Sequence, residues 1–127
     1  MTQEHHHETL INGIAKEQKP ILDNSGQAIY IYLDDTHKVC NKKFATLLGY
    51  KSVKEWVGTE APLADVVEKD QQKVIDAYTK ASESLEASSL AATLKNVKTS
   101  KLIKTRVLMA PITYQGHIFV IHFIDEV

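Results

Sequence analysis

Cysteine is almost absent: Cys40 is the single thiol in 127 residues, so neither an internal disulfide nor a multi-cysteine zinc cage can form, and the fold must rest on packing. No apolar run approaches the roughly 20 residues of a membrane span, and Met1 to Glu8 is too polar to be the core of a signal peptide. Together these absences lead to the expectation of a soluble, cytoplasmic protein. No stretch around the five glycines matches a phosphate-cradling loop, and there is neither a repeat nor a low-complexity linker. What remains is 43% hydrophobic and 24% charged, in a length that suits one domain. A chain of that size buries roughly two thirds of its unfolded surface.

Acid is also missing from a long stretch. Between Ala87 and Ile124 there is no Asp or Glu, whereas Lys95, Lys98, Lys101, Lys104 and Arg106 supply positive charge. The net charge of -1 therefore conceals an acidic body and a basic hairpin. Such a hairpin is either a solvated strand face or a docking patch for an anionic partner. Nucleic acid is disfavoured as that partner, because no aromatic platforms interleave with Lys95 to Arg106.

Patterning predicts the elements. Leu10, Ile11, Ile14 and Ala15 form one stripe of an amphipathic helix over His6 to Gln18 that Pro20 stops. Asn24-Ser25-Gly26 is a turn, and Ala28 to Leu33 has strand character. Asp34 to His37 turns the chain into a short strand, Lys38 to Cys40. Asn41 then caps a helix over Lys42 to Leu48 that Gly49 ends, and Ser52 caps another over Val53 to Val57. The longest helix lies within Asp65 to Ser84, with Asp70 as a candidate cap. Strands follow at Ser88 to Val97, Leu102 to Ile112 and His117 to Ile124, joined by tight turns at Lys98 to Lys101 and Tyr114 to Gly116. This order is an α+β fold: a five-stranded antiparallel sheet with helices inserted between strands 2 and 3, preceded by an amphipathic helix.

Two strands are apolar on both faces. The last carries Ile118, Val120, His122 and Ile124 on one side and Phe119, Ile121 and Phe123 on the other; the first sets Ile29, Ile31 and Leu33 against Ala28, Tyr30 and Tyr32. Inserted helices cover one face only, so the N-terminal helix, a second copy of the chain, or both must cover the other. A homodimer in which residues 1–20 take part is the expectation, with residues 21–127 as the domain proper.

The ordered segments Asn41-Lys-Lys-Phe-Ala-Thr-Leu-Leu-Gly-Tyr50, Ser52-Val-Lys-Glu-Trp56 and Leu63-Ala-Asp-Val-Val-Glu-Lys-Asp70 resemble the PAS sensor domain family. Ala110-Pro111-Ile112, followed by Gly116 and an apolar strand, resembles that family's final hairpin. The resemblance spans Ile21 to Val127. Two positions depart from it: the turn Asp34 to Lys38 lacks the usual glycine, and the terminal Asp-Ile-Thr appears as Asp125-Glu126-Val127. In multidomain relatives that triplet leads into an output helix, so the resemblance implies a stand-alone module signalling to a partner protein in trans.

Catalytic constellations are weak. Cys40 and His37 are three apart on extended chain and face opposite ways; His117 and His122 diverge likewise. His122 reads as a hydrogen-bonded histidine in an apolar interior; the run His5-His6-His7 could hold a stray divalent ion, but it reads as a frayed polar terminus. Among cofactors the resemblance implies, a flavin–cysteinyl adduct is excluded because the family's flavin cysteine lies on a middle helix and Cys40 precedes the first one. Haem is disfavoured because the long helix holds no histidine, although His122 could ligate from the sheet. A citrate-type site would need a basic pocket.

An open pocket would take an apolar or aromatic ligand. Its candidate lining is Ile31, Leu33, Phe44, Leu48, Trp56, Val74, Tyr78, Val107, Met109, Phe119, Ile121 and Phe123; the alternative is that these residues simply fill the core. Three readings follow: a non-catalytic dimeric sensory module binding a small ligand, a ligand-free interaction adaptor, or a cone-fold enzyme of the ketosteroid-isomerase type. The last is weakened by the expected lack of an acid in the pocket.

Overall fold

The computed structural model describes residues 3–59 and 62–127, with side chains from His6 onward. The chain runs α1 (Gln3–Glu17), α2 (Lys19–Asn24), β1 (Ala28–Asp34), β2 (His37–Cys40), α3 (Lys42–Leu47), α4 (Val53–Val57), a 3-10 turn at Leu63–Asp65, α5 (Glu68–Ser84), β3 (Ser88–Lys95), β4 (Leu102–Tyr114) and β5 (His117–Glu126). The sheet order is β2-β1-β5-β4-β3, antiparallel at every junction. With helices inserted between β2 and β3, this is the expected α+β architecture, and it is not the cone-shaped alternative. Among the described residues no helix is long and apolar enough to cross a membrane.

Local chemistry accounts for most boundaries. Asn41 Oδ1 accepts the Phe44 N–H at 3.0 Å and caps α3; Ser52 Oγ accepts the Glu55 N–H at 3.1 Å and caps α4. Gly49 ends the α3 turn at φ +85°, and a Cβ there would lie 2.3 Å from Asn96 Oδ1, so both conformation and space demand glycine. The β4–β5 hairpin turns on Gln115 and Gly116, both with positive φ (48° and 78°), as a two-residue loop with right-handed strand twist requires.

Four readings need correction. Pro20 does not stop the helical region: α1 ends at Glu17, and Pro20 sits in the first turn of α2, where its missing N–H costs nothing. The boundary drawn at residue 20 thus falls inside a helix. Asp70 is not the cap of α5, which begins after Val67; its carboxylate instead accepts the Thr93 N–H at 2.8 Å and ties α5 to β3. That hydrogen bond holds the Asp70 carboxyl below its usual range. Nor is the histidine run a frayed end: His7 lies in α1 and its Nδ1 meets Asp34 Oδ2 at 2.9 Å. The His5 side chain is outside the described residues.

Two apolar clusters sandwich the sheet. One face, carrying Tyr30, Cys40, Ala92, Leu94, Val107, Met109, Val120 and Ile124, packs against Phe44, Ala45, Leu48, Trp56, Val66, Ala77 and Ala81 from the inserted segments. On the other, Ile29, Ile31, Phe119 and Ile121 pack beneath Leu10, Ile11 and Ile14 of α1 and Leu22 of α2. The face opposite the inserted helices is therefore covered over β2, β1 and β5 within the same chain. Its β3–β4 half is open, with Leu102 60% and Leu108 43% exposed beside the exposed Lys95, Lys104 and Arg106.

Candidate functional site

A cavity of about 570 Å³ opens between the sheet, α5 and the turn before it. Sheet residues Tyr30, Tyr32 and His122 form its floor; Val74, Ile75 and Tyr78 of α5 and Pro62 to Val66 form its walls; Asp35, Tyr50 and Thr59 complete the rim. The wall is mostly apolar and aromatic with a few convergent polar groups, the usual make-up of a small-molecule site. A wider depression of about 820 Å³ near Leu22, Lys42, Lys43 and Glu126 is bordered largely by exposed polar side chains and has the character of open surface.

The tyrosines are held in place by rings and carboxylates. Tyr30 stacks on His122 with centroids 3.8 Å apart and planes 13° apart, and its other neighbours are Phe44 and Trp56. Tyr32 meets Tyr78 edge-on at 5.2 Å and donates its hydroxyl to Asp35 at 2.6 Å. Burial pushes the hydroxyl pKa of both Tyr30 and Tyr32 upward, so these phenols stay protonated.

The cavity's acids are Asp35 at the exposed rim and Asp65 within. Asp65 is only 6% exposed and accepts the Tyr50 hydroxyl at 2.7 Å. Burial raises its pKa, opposed by that hydrogen bond and by the nearby Lys38 ammonium. His122 is neutral: burial pulls its pKa down to about 3, and its Nδ1 lies 3.1 Å from the Val120 carbonyl oxygen. The site thus offers an acceptor for a ligand's N–H or O–H beside flat aromatic surface.

Lys38 braces the mouth from behind. It is 2% exposed, and its ammonium donates to the carbonyls of Asp35, Val57 and Thr59 while lying 5.1 Å from the Trp56 ring centroid. Two of those carbonyls belong to residues of the cavity rim, so a buried cation fixes the rim's backbone. Trp56 itself is fully buried, and its Nε1–H has no hydrogen-bond partner among the described residues.

Of the candidate lining residues, Val74 and Tyr78 border the cavity. Phe44, Leu48, Val107 and Met109 surround an adjoining void of only about 20 Å³ and fill core, while Trp56 packs behind Tyr30. Ile31, Leu33, Phe119, Ile121 and Phe123 are misplaced by that reading: they belong to the cluster under α1 and α2, on the opposite face. Alternation separates two sets of side chains on a strand but does not say which set faces the inserted helices. The expected lack of a pocket acid is likewise overturned by Asp65, whose contact with Tyr50 spans 15 residues. The separations inferred for His37 from Cys40 and for His117 from His122 are seen: His37 turns toward α1 and Cys40 toward the inserted helices.

No family model matches the sequence, and no curated protein matches it. Its structure nevertheless resembles solved ones. A PAS domain from a two-component sensor histidine kinase shares 12% identity at a TM-score of 0.66 over 91% of this chain and 98% of that one. A PAS domain from Colwellia psychrerythraea shares 17% identity at 0.66 over 90% and 97%. The Rhodobacter sphaeroides LOV protein shares 13% at 0.69, over 91% of this chain and 68% of that chain.

The flavin–cysteinyl adduct set aside from the sequence is not suited by the residues here either. Cys40 is absent from the cavity wall, and burial pushes its thiol up to about 12. An iron-bound haem is also poorly served, since the one histidine in that wall lies flat on Tyr30 with Nδ1 engaged by a backbone carbonyl. Sheet order, the position of the inserted helices and these likenesses agree: the chain has the PAS fold.

Proposed function

We propose that this PAS-fold domain is a non-catalytic sensory module whose cavity binds a small aromatic molecule carrying a hydrogen-bond donor. The observation that carries this reading is the 570 Å³ space with Asp65 as its buried acid, flanked by Tyr30, Tyr32 and Tyr78. A carboxylate partly stripped of water gains most from a charged or strongly polar donor, so aromatic amines are favoured over uncharged analogues and aromatic acids are excluded. Ligand contact with α5 and with β1 and β5 would bias the sheet, and through it α1 and α2 on the far side, only to the extent that the ligand prefers one arrangement.

The test titrates tryptamine, indole and indole-3-acetate into isotopically labelled protein and follows amide shifts. The expected order of affinity is tryptamine, then indole, with no binding of the acid; Asp65→Asn should abolish the preference for the amine. Equal affinities in wild type and variant, or no shifts around Tyr78 and His122, refute the reading. Native mass spectrometry of protein purified without added ligand checks for a retained molecule. Absence of both retained mass and shifts supports the adaptor reading.

Output through a second copy of the chain or a signalling partner in trans is part of the proposal. The open β3–β4 half of the sheet, with Leu102 and Leu108 among basic residues, supports that position. Across a two-fold axis those like charges repel, so a homodimer on this face should tighten with salt, while an anionic partner should bind less well.

A further inference from the structure

The geometry points to a transition-metal site at the joint between the N-terminal helix and the β1–β2 corner, formed by His7, Asp34 and His37. It is separate from the cavity and does not depend on the function proposed for it. His7 comes from α1, Asp34 from the end of β1 and His37 from the start of β2. Their candidate donor atoms all lie within 4.8 Å of one another. Both imidazoles address the same carboxylate through Nδ1: His7 meets Oδ2 at 2.9 Å and His37 meets Oδ1 at 2.7 Å.

Those contacts are close to a coordination shell. Zinc holds histidine nitrogen and carboxylate oxygen at about 2.0–2.2 Å, which sets tetrahedral donors about 3.4 Å apart. An ion entering between the three groups therefore replaces the protons now shared between imidazole and carboxylate, with shifts of well under 1 Å for the two contacting pairs. Two imidazoles and one carboxylate suit zinc, nickel, copper or ferrous iron and do not suit calcium or magnesium. The carboxylate is already oriented by a second layer, since Asp34 Oδ1 accepts both the N–H and the hydroxyl of Thr36 at 3.0 and 3.1 Å.

The surroundings favour entry and completion of the shell. Side-chain exposures of 20%, 36% and 10% for His7, Asp34 and His37 leave the group half-open. His117, from the start of β5, has its ring 6.5 Å from that of His7 and 4.9 Å from that of His6. The His117 ring, or water, can take the fourth position. The consequence is mechanical: the apolar stripe Leu10, Ile11 and Ile14 docks α1 further along, and the ion would pin the helix's beginning to a corner that follows it by 27 residues.

The test is calorimetric titration of Zn²⁺ into the full chain after chelator treatment, with amide exchange of residues 8–17 as a second readout. The expected result is one equivalent bound, slower exchange in α1, and affinity weakened more than about a hundredfold in His7→Gln, Asp34→Asn and His37→Gln, because loss of a ligand should exceed loss of a second-layer contact. Circular dichroism confirms folding of each variant, and the half-buried His7 keeps the test valid if His37→Gln misfolds. The double variant His5→Ala/His6→Ala should retain binding within about tenfold. No stoichiometric binding overturns the proposal; so does affinity unchanged in Asp34→Asn and His7→Gln, or affinity lost in the His5/His6 variant, which would assign the ion to the terminal histidine run.

Discussion

Asn41→Ala is the substitution whose effect the structure specifies most fully. The side chain is 5% exposed and makes three hydrogen bonds. Oδ1 accepts the N–H groups of Phe44 and Ile29, both at 3.0 Å, and Nδ2 donates to the Gln27 carbonyl at 2.8 Å. Alanine removes a helix cap, at about 1 kcal/mol. It also orphans the N–H of fully buried Ile29, in a strand with neighbours on both sides, at about 1–3 kcal/mol. Gln27 is only half-buried and its carbonyl can turn to water. The sum is about 3 kcal/mol, a large part of the 5–15 kcal/mol by which domains are stable. At about 2.1 cal/mol/K per residue, 127 residues give a Tm loss of about 11 °C. Urea denaturation with an unchanged m-value is the assay. Asn41→Asp keeps an acceptor for both N–H groups, loses the donor to the Gln27 carbonyl, and should lose about 1 kcal/mol. If Asn41→Ala costs under about 1 kcal/mol, no more than a surface cap, the argument from the orphaned donor fails.

Burial holds the Asp65 carboxyl above its ordinary range, so the folded chain takes up a proton more readily than the unfolded one. Wild-type stability should therefore fall as pH rises from the unfolded value near 3.9 through the raised folded value. Asp65→Asn removes that slope, and denaturation at a series of pH values should show the variant's advantage growing over that window; a constant difference refutes it. Lys38→Met leaves three carbonyls without their shared donor and should cost about 3 kcal/mol while weakening ligand binding at the rim; an equally stable variant would show that the ammonium contributes nothing net. Ile14→Asp places a charge where the native side chain is 1% exposed. Amide exchange should then accelerate throughout α1 and not in β3–β4, and uniform exchange would show that α1 does not open independently of the sheet.

Local physical chemistry made much of the fold legible. Asn41 and Ser52 read as caps and are caps; Gly49 and Gly116 read as turn residues and have positive φ. Asp70 shows the limit of such reasoning, since an acid at the start of a helix suits the helix end equally well whether it caps or reaches Thr93 on another strand. Pro20 shows another, because the same missing N–H that stops one helix opens the next.

Apart from α2, which Pro20 opens, element types, their order and the presence of two-sided apolar strands were determined by the sequence alone, because propensity, capping and alternation act over a few residues. Tertiary structure alone decided which face of β1 and β5 meets the inserted helices, and so placed Tyr30, Tyr32 and His122 at the cavity while Ile31 and Phe119 went beneath α1. It also brought Asp65 to Tyr50, and His7 to Asp34 and His37. The reason is physical: alternation divides a strand into two equivalent sets, and only packing between elements distant in sequence breaks that equivalence.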